Sequence, residues 1–261
     1  MYGRQSFRFG PPETPEIIKQ LMIANAVVFG LQLISPPSFS DLAAVRPSAV
    51  WGEGYFWQPF TYMWLHGGFM HIAMNCFALW MFGSELAMVW GKERFLRFYL
   101  MCGIGSGFVI ATWPFVLLFA GVDVDGLDTH TLGASGAIYG VVLGYSLMWP
   151  DRRIMLIFPP ISFRAIWLIP GLLVMTIAMS GPEGGISHIG HLGGVLVGWL
   201  YLRQNGLTSG SDSSQASRTV GFKSNVLQRR LRRWRMRKKL RAVPPEKGEQ
   251  RPKDRDHKGL H

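Results

Sequence analysis

Ser135, in the run Gly133-Ala134-Ser135-Gly136, and His191, in His188-Ile189-Gly190-His191, each stand at or near the start of a long apolar segment. A serine hydroxyl is a weak nucleophile at its free pKa, and histidine is the base that most often activates it. His71 and Asn75 lie four residues apart, on one face of a helix. Their N–H groups are of the kind that hold a developing oxyanion. The Ser135 backbone N–H, at a helix start, is a further donor. Nucleophile, base and oxyanion donors together are the parts of an acyl-transfer site. Polar side chains are costly in lipid, so their presence in apolar segments points to function.

The two histidines near Ser135's expected partner helix differ in position. His191, Gly194 and Gly198 fall at i, i+3 and i+7, on one face, so His191 is read as the base. His188 lies a turn nearer the loop and is read as site-lining or structural. No Asp or Glu occupies an apolar segment at matching depth, so a Ser–His dyad is expected in place of a triad. Ser135 is followed by Gly136 and Ala137, which departs from the G-x-S-x-G elbow of soluble hydrolases. Ser106, inside Gly103-Ile104-Gly105-Ser106-Gly107, reads as a packing serine. Glu85 comes 14 residues after His71, roughly 21 Å along a helix. It reads as a hydrogen-bonding or capping carboxylate at the far end, with proton carriage as the alternative.

These side chains need helices that cross a membrane. Of 261 residues 48% are hydrophobic and 16% charged, against about a quarter charged in soluble domains. A crossing takes about 20 mostly apolar residues, and six segments qualify: 17–37, 69–90, 98–120, 132–149, 165–180 and 186–204. The fifth is the shortest and is interrupted by Pro170. Glu13 and Glu16 precede the first and Lys19 lies within it, unlike a cleaved signal. The expected fold is all-α, a polytopic six-helix bundle over residues 17–204. Residues 1–16 form a short cytoplasmic N-terminus and 205–261 a cytoplasmic tail.

Loop charge gives the orientation. Arg4 and Arg8 precede the first span, Lys92, Arg94 and Arg97 follow the second, and Arg152, Arg153 and Arg164 follow the fourth. The other loops are poor in base, and Asp123, Asp125 and Asp128 share one of them. By the positive-inside rule both termini are cytoplasmic. Spans two, four and six then start on the outer side and bring His66, His71 and Asn75, then Ser135, then His188 and His191 to similar depths. Gly136, Gly140 and Gly144 on the fourth span, and Gly190, Gly194 and Gly198 on the sixth, allow close helix approach.

With these residues in place, the chain resembles the rhomboid family of intramembrane serine proteases, in its six-span bacterial form. The resemblance runs over residues 17–204. It is carried by His66-Gly67-Gly68-Phe69-Met70-His71-Ile72-Ala73-Met74-Asn75, by Gly133-Ala134-Ser135-Gly136, and by His191-Leu192-Gly193-Gly194 with Gly198. It implies Ser135 as nucleophile, His191 as base, and His71 and Asn75 at the oxyanion. It also implies Tyr139 packed on the base, with Gly133 and His188 lining the site. Residues 38–68, rich in Trp51, Phe56, Trp57, Phe60 and Trp64, would form a half-submerged first loop. Some members carry Arg after the Trp that matches Trp57. Gln58 stands there in this chain, which leaves open how the loop is anchored. The implied substrates are single-span membrane proteins cut near the outer face, in a bacterial inner membrane. No metal or cofactor is expected, and Cys76 and Cys102 read as buried thiols without ligand partners.

The tail has its own character. From Arg203 onward 17 basic and 5 acidic residues leave +12, while the 10 basic and 11 acidic residues before it leave −1. Gly206–Ser217 reads as a flexible linker. Leu227, Leu231 and Trp234, among nine basic residues from Arg229 to Arg241, suggest an amphipathic helix on the anionic cytoplasmic leaflet. A solvated disordered tail is the alternative, and nucleic acid is not the expected partner. Two rival functions are a non-proteolytic relative that escorts membrane clients and a transporter. The first usually lacks the serine or the histidine, and the second favours paired charges or broken helices at mid-membrane.

Overall fold

A computed structural model of the chain describes residues 10–122, 126–155, 161–179 and 185–207. The chain divides after Ser213 into two units, and all described residues belong to the first. The basic tail and its proposed helix lie outside them, as do Arg4, Arg8, Asp123 and Asp125.

Helix α1 (Glu16–Ile34) opens with an acidic residue at its positive end. It stops at Ser35 because Pro36 and Pro37 follow, and α2 (Pro37–Ala43) restarts with proline in its first turn. The first span therefore breaks three residues earlier than the apolar run. Residues 44–68 wind through a single π turn, Ala49–Glu53, and the short helix α3 (Gln58–Thr61). The second span is α4 (Phe69–Ala78), a π turn at Leu79–Gly83 and α5 (Ser84–Trp90) in unbroken succession. Gly91, at φ +79°, makes the corner into α6 (Lys92–Phe119). Helix α6 starts six residues before the apolar run. Hydropathy marks only the part that suits lipid, whereas the helical hydrogen bonds continue through Lys92 to Arg97.

Helix α7 (Ser135–Met148) begins on the serine itself, and ten of its 14 residues are buried. It is the central post of the bundle, packed chiefly against α6 and α9 (Gly185–Asn205). Helix α8 (Leu168–Met179) touches α7 and α9 more sparsely and leaves Val174, Met175 and Ile177 exposed. Between α7 and α8 a two-stranded hairpin pairs β1 (Arg153–Met155) with antiparallel β2 (Ser162–Arg164), in a stretch read only as a charged loop.

Three helices among the described residues are long and apolar enough to cross a membrane: Glu16–Ile34, Phe69–Trp90 and Lys92–Phe119. Ser135–Met148 and Ala165–Ala178 are shorter apolar helices. At the end of the bundle where α5 stops and α7 ends, Glu85 pairs with Arg152. The guanidinium also lies over Tyr145 and Trp149. Glu85 is thus the hydrogen-bonding carboxylate expected of it.

Candidate active site

The glycine stripes decide how near the helices come. A Cβ on Gly194 would overlap the Gly136 carbonyl, and one on Gly198 would lie 3.2 Å from the Gly140 Cα. Helices α7 and α9 thus meet backbone to backbone at these two levels. The outer members of the stripes serve other neighbours: Gly190 faces Ile110 on α6, and Gly144 faces Trp90, Leu86 and Phe98.

At the end where α7 starts, this approach sets His191 Nε2 2.9 Å from Ser135 Oγ, within hydrogen-bond distance. The imidazole is stacked on Tyr139, one turn further along α7, with ring centroids 4.2 Å apart and planes 8° from parallel. Nδ1 of His191 is buried with no hydrogen-bond partner among the described residues. The His191 ring is therefore oriented by an aromatic face, where a carboxylate would hold the histidine of a triad. His188, a turn earlier on α9, does not line the cavity beside Ser135.

That cavity, about 120 Å³, is bounded by Ser135, His191, His71, Gly133, Gly136, Ser106 and Tyr62, among others. It has room for several water molecules. Gly133, at φ +126°, stands two residues before Ser135, and its N–H donates to the Tyr62 carbonyl at 2.9 Å. A Cβ there would stand 2.7–2.8 Å from the His71 ring. Only glycine combines this conformation with so close an approach. His71 Nδ1 accepts from the Gly67 N–H at 3.3 Å. Its Nε2, on the Gly133 side, is left to act towards the cavity. Asn75, one turn along α4, is buried, with its Nδ2 lacking a hydrogen-bond partner among the described residues. It does not line the cavity in this state.

Several supports were not read from the sequence. Ser106, which had no histidine near it in the chain, sits in the cavity wall and donates to the Gly190 carbonyl at 2.6 Å. It joins α6 to α9 one residue before His191, a tighter structural role than general packing. Tyr62 donates to the Gly103 carbonyl at 2.8 Å, and burial pushes its hydroxyl well above the ordinary tyrosine range. Gln32 on α1 clamps the His66 backbone twice, accepting from its N–H and donating to its carbonyl, each at 3.0 Å. His66 lies edge-on to His71, with ring centroids 5.2 Å apart. Burial first, and His71 second, hold the His66 pKa down at about 4. Such pairings join residues tens of positions apart, and no periodicity announces them.

Gln58 settles how the first loop is held. Fully buried, it accepts from the Arg46 N–H at 3.0 Å and donates to the Asp41 and Leu42 carbonyls at 3.2 and 3.4 Å. A neutral amide with both donor and acceptor suits this backbone environment. Trp51, Phe56, Trp57 and Phe60 remain exposed on the same loop.

Comparison with known proteins gives a consistent picture. Residues 53–204, more than half of the chain, match the Rhomboid domain family. The presenilin-associated rhomboid-like protein, mitochondrial, of Homo sapiens is 32% identical over 139 residues, covering 52% of this chain and 35% of that protein. Rhomboid protein 1, mitochondrial, of Saccharomyces cerevisiae is 30% identical over 141 residues, 52% of this chain and 38% of its own. The rhomboid protease AarA of Providencia stuartii is 28% identical over 159 residues, 56% of this chain and 55% of its own. The matched stretches thus span between about a third and about half of these relatives.

Proposed function

The chain belongs to the rhomboid family and is a polytopic integral membrane protein, and from this we propose that it is an intramembrane serine endopeptidase working through a Ser135–His191 dyad. The observation that carries the reading is the 2.9 Å contact between Ser135 Oγ and His191 Nε2 in the wall of a small cavity. In the proposed reaction Ser135 Oγ attacks a substrate carbonyl while His191 Nε2 takes its proton. The carbonyl oxygen gains charge beside the Ser135 N–H, His71 and, after a modest movement, the Asn75 amide. His191 then returns the proton to the leaving amine. Water hydrolyses the acyl-enzyme, with His191 again as base.

The substrate class is the one the family resemblance implies, and it agrees with what access demands. A peptide bond inside a regular helix is shielded by its own hydrogen bonds, so the substrate helix must unwind locally to reach Ser135. Single-span membrane proteins cut near the outer face fit this requirement. Six spans over residues 17–204, cytoplasmic termini in a bacterial inner membrane, and a basic tail lying on the anionic leaflet complete the proposal. Its support is the loop charge: Lys92, Arg97 and Arg152 lie at the end of the bundle away from Ser135. The test is labelling by a serine-directed fluorophosphonate in native membranes. Wild-type protein should be labelled and Ser135→Ala should not. Equal labelling of the two would sink the proposal.

A further inference from the structure

The ring beneath the base is itself held from a third helix. The Tyr139 hydroxyl lies 2.5 Å from Thr176 Oγ1 and 3.2 Å from the Leu172 carbonyl, both on α8. Thr176 Oγ1 in turn donates to the Leu172 carbonyl at 2.8 Å. The two hydroxyls and one carbonyl close a small triangle in an otherwise apolar helix. A threonine in lipid can satisfy its hydroxyl on its own helix, by the bond four residues back. That bond alone explains why threonine is tolerated at 176. It does not explain why the Tyr139 hydroxyl is brought onto it, and that hydroxyl ends the ring on which His191 lies nearly parallel.

We propose that Thr176 is a positioning residue for the base, fixing through the Tyr139 hydroxyl the tilt of the ring on which His191 is stacked. The inference rests on the reading of His191 as the base. The tyrosine ring is anchored at its root by α7 and at its tip by α8. A phenol seeks a partner when buried away from water, so losing the Thr176 hydroxyl leaves the tip only the longer bond to Leu172. Valine at 176 would do more. It would put a methyl group where Thr176 Oγ1 now stands at hydrogen-bond distance from the tyrosine oxygen, and carbon needs about 3.5 Å or more. The ring must then swing, and the imidazole with it.

The experiment measures inactivation of the purified full-length protein in detergent by a fluorophosphonate, resolved into a maximal rate and a half-saturating concentration. In that reaction Ser135 Oγ bonds to phosphorus, fluoride leaves, and His191 takes the proton. Thr176→Val should lower the maximal rate by about 10- to 100-fold, the scale of a misplaced reacting group, with the half-saturating concentration little changed. Thr176→Ser should restore the rate. Tyr139→Phe removes the oxygen that valine strikes, so Tyr139→Phe/Thr176→Val should return to the Tyr139→Phe level. A Thr176→Val rate within about twofold of wild type, or a double variant losing the product of the two single losses, would overturn the proposal. Should Thr176→Val fail to fold, Thr176→Ala and Tyr139→Phe decide. Both remove the same bond, so each must slow labelling and together no more than the larger; an unchanged rate in either overturns it. Labelling that survives in Ser135→Ala would instead defeat the assigned function, whatever Thr176 does.

Discussion

Gly194 on α9 lies against the carbonyl of Gly136 on α7 so closely that a Cβ would overlap it. This contact is what lets a histidine on one helix reach a serine on the other. Side chains of ordinary size between two helices keep their axes about 8–10 Å apart, and the dyad would be stretched. Gly194→Ala should therefore act on geometry and stability together. Overpacking at such a site typically costs about 1–3 kcal/mol, so the thermal midpoint should fall and serine labelling should slow severely. Gly171→Ala is the control, because nothing lies within 4 Å of a Cβ there. It should leave both readouts unchanged or slightly improve stability. Equal behaviour of the two variants would show that the close approach is dispensable.

Gly133 and His71 make a second dependent pair. Gly133→Ala meets a strained φ and the His71 ring at once, so labelling should drop. In a His71→Ala background the ring is gone and only the backbone strain remains. The added loss from Gly133→Ala should then be smaller than in wild type. Equal losses in the two backgrounds would mean that His71 is not what glycine accommodates.

His66 supplies a pH prediction. Its pKa of about 4 lies below the ordinary 6.5, so acid protonates the unfolded chain before the folded one. The stability that the neutral ring contributes is complete above about pH 6.5 and is lost as the pH falls towards 4. Thermal midpoints in detergent should thus fall between neutral pH and about pH 5, and fall less in His66→Asn. An identical fall in the variant would assign the acid sensitivity elsewhere.

The main parts of the site were legible because each belongs to a local pattern. Ser135 stands in Gly133-Ala134-Ser135-Gly136 at a helix start, His191 shares a face with Gly194 and Gly198, and His71 shares one with Asn75. Helices long enough to cross a membrane announce themselves by hydropathy. What escaped depends on contacts between distant segments. Ser106 to Gly190, Gln32 to His66 and Tyr139 to Thr176 all join separate helices or loops, and neither partner's position in the chain announces the other. The π turn at Leu79–Gly83 and the exact start of α6 were hidden for another reason. Hydropathy reports suitability for lipid, and carries little about local winding or about where helical hydrogen bonding ends.

Orientation is tested without reference to catalysis. A reporter fused after residue 261 should be cytoplasmic, and one inserted at Asp125 should lie outside, as the loop charges require. Both reporters on one side would remove the common depth assigned to His71, Ser135 and His191.

The most direct measurement is cleavage of a single-span reporter protein by purified wild-type and variant proteins. Ser135→Ala and His191→Ala should each abolish cleavage while still inserting and folding, and removing both should cost no more than removing one, because the pair acts as a unit. Asn75→Ala should be milder, since the His71 and backbone donors remain; losing one oxyanion donor typically costs about 2.7–4 kcal/mol. His188→Ala should retain substantial turnover. If Ser135→Ala still cut the reporter, or if His188→Ala were dead and His191→Ala active, the dyad drawn between α7 and α9 would be wrong.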